Sequence, residues 1–181
     1  MSAFLGPIHF WLYNKIKIQN DIIEDIISLS ESNNLNIRSK VYELYGDGDL
    51  PPLDEVIDVT NIHGWLQEKV SVVENKLSYA VTALLKENPQ LIDDLKQIFY
   101  DKGSKASKLN NDSSIDDAFK VFNDTLLDGM PCDHANVLLS QEENEIIWRR
   151  EICVHQKYWD ANGGDINTYY LLRDEFIKGL L

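Results

Sequence analysis

Ile8-His9-Phe10-Trp11-Leu12-Tyr13-Asn14-Lys15-Ile16 returns 54 residues later as Ile62-His63-Gly64-Trp65-Leu66-Gln67-Glu68-Lys69-Val70. The isoleucine, histidine, tryptophan, leucine and lysine keep their places. Histidine and tryptophan occur only four times each in the chain, so their joint recurrence in one frame points to an internal repeat. The match continues without a gap through apolar pairs: Ile23 with Leu77, Ile27 with Val81, Ile37 with Leu91, Val41 with Leu95 and Leu44 with Ile98.

Both copies carry a helical period. Leu5, His9, Leu12, Ile16, Ile23 and Ile26 fall on one seam, interrupted by the polar Gln19. The second seam is His63, Leu66, Val70, Val73, Leu77, Ala80 and Leu84, with Thr60 as the expected cap. A shorter helix follows each, around Ile37–Leu44 and Leu91–Ile98. The pattern predicts an all-α protein, an antiparallel bundle built from a duplicated long-helix and short-helix unit over about 5–46 and 59–100.

Residues 1–103 then hold the paired hairpins, 104–114 form a polar linker, and 115–181 add C-terminal helices packed on the bundle. Within that extension, Ile115, Phe119, Phe122 and Leu126 mark one helix, and Pro131 opens a short turn. Ser140 with Glu143 reads as the capping box of a long helix reaching Asp160. Asn162-Gly163-Gly164 stops that helix, and Asp165 caps a last one.

Composition narrows the function classes. A hydrophobic share of 44% with 26% charged residues suits a folded domain rather than a disordered chain. The formal net charge of −13 repels phosphate backbones, so a nucleic-acid partner is not expected. No apolar run is long enough to span a bilayer, and the amino terminus lacks the basic and apolar pattern of a signal peptide. Two cysteines do not make a disulfide framework, and the expected compartment is the cytoplasm.

The candidate site residues follow from the repeat. His9 and His63 fall in the first turns of parallel helices, where the helix dipole favours a neutral ring with a free lone pair. Both are therefore candidate metal ligands. His155 is a third, with Glu151 one helical turn before it, and Cys132 and His134 are possible additions. Imidazole-rich sites suit iron or zinc, so a core-bound transition metal is the expected cofactor. The competing reading of each histidine is a core ring tied to a carbonyl and copied with its unit.

Trp11 and Trp65 face away from the histidines, each one turn before a lysine whose stem can cross the indole. A cofactor-free protein is the alternative function, with a homodimer surface built from Trp148, Tyr158, Trp159, Tyr169 and Tyr170. A thiol enzyme using Cys132 with His134 or His155 as its base is a third. His155 and Asp160 are spaced as in the closing histidine–aspartate pair of hemerythrin-like proteins, but the rest of that family's pattern is missing. No P-loop, dinucleotide fingerprint, nucleophile elbow or Glu-x-x-His pair is present.

Overall fold

Pro7 has no amide hydrogen to leave unpaired, and it opens α1 (Pro7–Ser32) behind the extended Gly6. The computed structural model describes residues 4–181; residues 1–3 of the unit expected over 1–103 lie outside the described residues. Helix α4 (Ile62–Glu87) matches α1 in length at 26 residues. Its cap is Asn61 rather than Thr60, because the Asn61 side chain accepts from the Gly64 amide at 3.1 Å. His63 is thus the second helical residue while His9 is the third, and the two copies slip by one position.

The seams form much of the core. Leu12, Ile16, Ile23 and Ile26 of α1 and Leu66, Val70, Val73, Leu77, Ala80 and Leu84 of α4 are buried. Complete burial of such side chains stabilises by about 1.5–3 kcal/mol each relative to exposure. Helix α1 packs along α4, and the short α2 (Arg38–Tyr45) also lies on α4. A single turn, α3 (Leu53–Val56), precedes α4.

The second short helix behaves differently. Helix α5 (Ile92–Ala106) pairs chiefly with the last helix, α8 (Ile166–Leu180), rather than repeating the place of α2. The crossing is backbone-close: a Cβ on Gly103 would lie 2.0 Å from the Phe176 carbonyl oxygen, and one on Gly179 2.0 Å from that of Tyr100. The linker expected over 104–114 is therefore helical through Ala106, held by this contact. The expected helix over Ile115–Leu126 forms as α6 (Ile115–Thr125), opened by a Ser114–Asp117 capping box, and packs against α1.

The long helix expected from Ser140 to Asp160 does not form. Its place is taken by an antiparallel hairpin, β1 (Asn136–Glu142) and β2 (Glu145–Arg150), and then α7 (Gln156–Ala161). The chain is mostly helical but not all-α. Short apolar runs such as Val137-Leu138-Leu139 and Ile146-Ile147-Trp148 carry no decisive period, and here the strand wins. A register irregularity between Leu138 and Ser140 accommodates an extra residue in β1. Asp165 caps α8 as expected, accepting from the Asn167 amide at 2.9 Å.

Candidate functional site

Gln19, the polar break in the α1 seam, donates to Glu74 Oε1 of α4 at 3.1 Å inside the core. The other oxygen, Glu74 Oε2, accepts from Nδ1 of His155 at 2.9 Å. His155 stands at the entrance to α7 with 0% of its surface exposed, and its carbonyl accepts from the Tyr158 amide. On the far side of the ring, Nε2 lies 3.2 Å from Asp128 Oδ1 and 3.0 Å from the Tyr169 hydroxyl. Tyr169 also accepts from Arg173.

Asp128 gathers the C-terminal half of the chain. It accepts from Arg173 at 2.9 Å, Asn136 at 2.8 Å and Arg150 at 3.3 Å, besides His155. The loop that presents it turns at Gly129, whose φ of +75° is left-handed and whose missing Cβ would meet the Asp133 carboxylate. Asp133 in turn accepts from the Met130 amide at 2.8 Å. One carboxylate thus ties both strands, the start of α7 and α8 into a single network.

Charge follows from this geometry. Burial opposes ionisation of His155, but the Glu74 carboxylate, the hydrogen bond to Asp128 and that to Glu74 outweigh it and raise its pKa. Burial likewise works against a charged Asp128, yet the His155 hydrogen bond and the Arg173 and Arg150 guanidinium groups hold it well below the usual carboxylate range. The centre is an imidazolium between two carboxylates. Burial drives the Tyr169 phenol far above its ordinary pKa, so it stays neutral.

Two clefts flank the network and meet at Gly129. The larger, about 680 Å³, is lined by Glu74, Asp133, Cys153 and Tyr158 among others. On its rim the Cys153 thiol accepts from the Tyr170 hydroxyl at 3.0 Å. Partial burial opposes the thiolate, but that bond and the amides of His155 and Gln156 prevail and lower the thiol pKa. Burial and the thiol together push Tyr170 up to about 12.

The smaller cleft, about 260 Å³, is lined by Trp11 and Lys15 of α1, Asp128, Met130, His134 and Asn136. Lys15 is only 6% exposed. Its amine sits 3.4 Å from the centroid of the Trp11 ring and has no hydrogen bond or ion pair among the described residues. Trp11 is held by its own bond to Asp124, 2.8 Å. Desolvation pulls the Lys15 amine down to about 8; Asp128 and Asp124 oppose that shift, and Arg173 reinforces it. Asn136 turns its amide nitrogen to Asp128, which leaves its buried Oδ1 unpartnered among the described residues.

The six residues singled out from the sequence do not assemble. His63 is exposed, and His9 is half-buried with Nδ1 accepting from the Gly6 amide at 2.8 Å, so it closes its own helix end. Glu151 is exposed and pairs with Arg149, away from the enclosed His155, because this stretch is hairpin and loop rather than helix. Cys132 and His134 are exposed, with His134 in left-handed backbone (φ +48°) on the rim of the smaller cleft. Both ring nitrogens of His155 lie against carboxylates on opposite sides, Glu74 and Asp128, in an enclosed position. No group of three or more histidine, cysteine, aspartate or glutamate residues suited to a metal occurs among the described residues.

The aromatic patch expected on the surface is largely interior: Tyr158, Trp159 and Tyr169 are buried. The lysine stems do cross the repeated tryptophans, Lys15 over Trp11 and Lys69 over Trp65. Glu74, Asp128 and Arg173 escaped the sequence reading, and Lys15 was read only as a stem across Trp11. The polar Gln19 inside an apolar seam was the available signal, since a buried amide needs a polar partner on the facing helix. No protein-family model, curated protein or solved structure matches this chain.

Proposed function

We propose that the protein binds, and acts on, a small organic molecule that presents a carbonyl or carboxylate oxygen to Lys15 in the cleft beside Asp128. One observation carries this reading: a lysine whose side chain is largely enclosed, with no carboxylate in contact and its amine held over the Trp11 ring, lines a cleft in a chain of net charge −13. A largely buried lysine without an ion pair in a cavity is a candidate ligand-binding group. The volume of about 260 Å³ lies just under the usual range for ligand sites, which suits a small molecule. Asp128, which lines this cleft, is held rigid by the Glu74–His155–Asp128–Arg173 network, each member of which is fixed by at least two partners.

Transition-metal binding through His9, His63 and His155 receives no support from this geometry, because His155 has both ring nitrogens and His9 its Nδ1 in hydrogen bonds, and His63 is exposed. The matched lengths of α1 and α4 and their repeated lysine–tryptophan contacts support an internal duplication, of which only the first copy became a site. Two unpaired thiols and the strongly acidic composition fit a cytoplasmic setting.

A thermal-shift panel of small aldehydes, ketones and carboxylates, run against wild type and Lys15→Met, tests the proposal. Wild type should be stabilised by some members and the variant by none. The variant without ligand should melt higher than wild type, since it no longer buries an amine. Equal shifts in both proteins would remove Lys15 from ligand binding.

A second reading, self-association, is favoured by the hairpin, where Leu138, Leu139, Ile147 and the following Ile152 are about half exposed. Sedimentation velocity of wild type against Leu139→Lys reads it directly: a dimer that the substitution dissolves supports it, and a wild-type monomer ends it.

A further inference from the structure

We propose that Lys15 is a covalent nucleophile whose amine condenses with the carbonyl carbon of a small aldehyde or ketone, forming a Schiff base in the cleft. The inference rests on the ligand reading above and specifies its substrate class.

Three features converge on this amine. The residue is 6% exposed and lines a cleft, so the stem is enclosed while the amine keeps contact with the space a ligand would enter. It makes no hydrogen bond or ion pair among the described residues, so its lone pair is not committed once the proton leaves. The Trp11 ring, anchored through Asp124, lies against the nitrogen and limits where it can point. Lys69, at the corresponding place of the second phrase, stands 5.1 Å from Trp65 and is more open. The two copies share the contact, but only one encloses it.

The charged groups around Lys15 are Asp128, Asp124 and Arg173, with His134 at the cleft rim. Desolvation dominates them and brings the amine to about 8. At pH 7.5 the neutral fraction is then roughly two-hundredfold that of an ordinary lysine near 10.4.

The step balances without oxidant or reductant. The amine nitrogen forms a bond to the carbonyl carbon, and the C=O π pair moves to oxygen, which takes up a proton while the nitrogen gives one up. The nitrogen lone pair then expels the hydroxyl, protonated by solvent, as water, leaving C=N. Asp128, kept as a carboxylate by its guanidinium partners, does not supply that proton. Its negative charge instead favours the protonated imine.

The apolar part of the lining, Ile8, Trp11, Leu126 and Met130, suits a carbonyl compound with a short hydrocarbon or aromatic body. Asn136 adds a polar residue to the lining.

Reductive trapping decides the matter. Wild-type protein is incubated at pH 7.5 with benzaldehyde or butanal and sodium cyanoborohydride, then digested and mapped by mass spectrometry. Lys15 should be modified at least tenfold faster than any exposed lysine, and a prior fill with a stabilising carboxylate should protect it. Modification spread over exposed lysines with Lys15 no faster would overturn the inference. If carboxylates still stabilise wild type but not Lys15→Met in that case, the binding site stands and only its covalent chemistry falls.

Discussion

Replacing Asp128 with asparagine keeps the shape of the side chain and removes one charge from the core. His155 is fully enclosed and Arg173 is 4% exposed, so neither can recruit water to replace the lost carboxylate. His155 would keep only Glu74, and Arg173 and Arg150 would lose their only ion-pair carboxylate among the described residues. Breaking a buried pair by removing one partner costs about 3–5 kcal/mol, and the lower end applies because Arg150 and Asp128 itself retain some solvent contact. For a chain of this length each kcal/mol moves the melting temperature by about 2–4 °C, so a fall of about 6–12 °C is expected. Circular dichroism melts at pH 6 and pH 8 measure it. The deficit should be larger at pH 6, where the stranded imidazolium holds its proton more firmly. Asp128→Asn combined with His155→Gln should lose less than the sum of the single changes, by about 0.5–3 kcal/mol of coupling. A melting temperature within about 2 °C of wild type at both pH values would refute the ionic account of this network.

The glycine crossing and the titrating groups give two further tests. Gly103→Ala or Gly179→Ala should destabilise by about 1–3 kcal/mol or more in urea melts, because each Cβ meets a backbone carbonyl at 2.0 Å that cannot step aside. At an ordinary helix interior the same exchange gains up to about 1 kcal/mol, so the sign alone is diagnostic. For pH, His155 is raised above its unfolded value of about 6.5; its contribution is full below that pH and is lost as pH rises through the folded value. Asp128 is depressed below about 3.9, so its contribution is present above that pH and is lost as pH falls through the folded value. Lys15, depressed to about 8, costs most when charged, and that cost fades between about pH 8 and 10. Urea unfolding across pH 3–9 should therefore show a plateau near pH 4.5–6.5 and a decline from there toward about pH 8, which the fading Lys15 cost opposes above that pH. His155→Gln should flatten that decline.

Much of the helical framework was legible from residue order. The four-three spacing of Leu12, Ile16, Ile23 and Ile26, and its echo from Leu66 to Leu84, needs no tertiary information, because a helix must bury whichever stripe is apolar. The cap at Asp165 was readable for the same reason: its bond closes within a few residues. The hairpin was not. Runs of three apolar residues suit a buried helix turn or a strand equally, and Ser140 with Glu143 mimics a helix start.

The site belonged almost wholly to the tertiary level. Chain order set which residues carry charge and which helix faces are apolar, and so fixed the twin long helices around their seams. The packing of hairpin, α7 and α8 onto those helices set which charges meet. Glu74 and His155 lie 81 residues apart, and Asp128 and Arg173 lie 45 apart. No local period links such partners. Their pairing is enforced by desolvation, which acts only once the chain has closed around them.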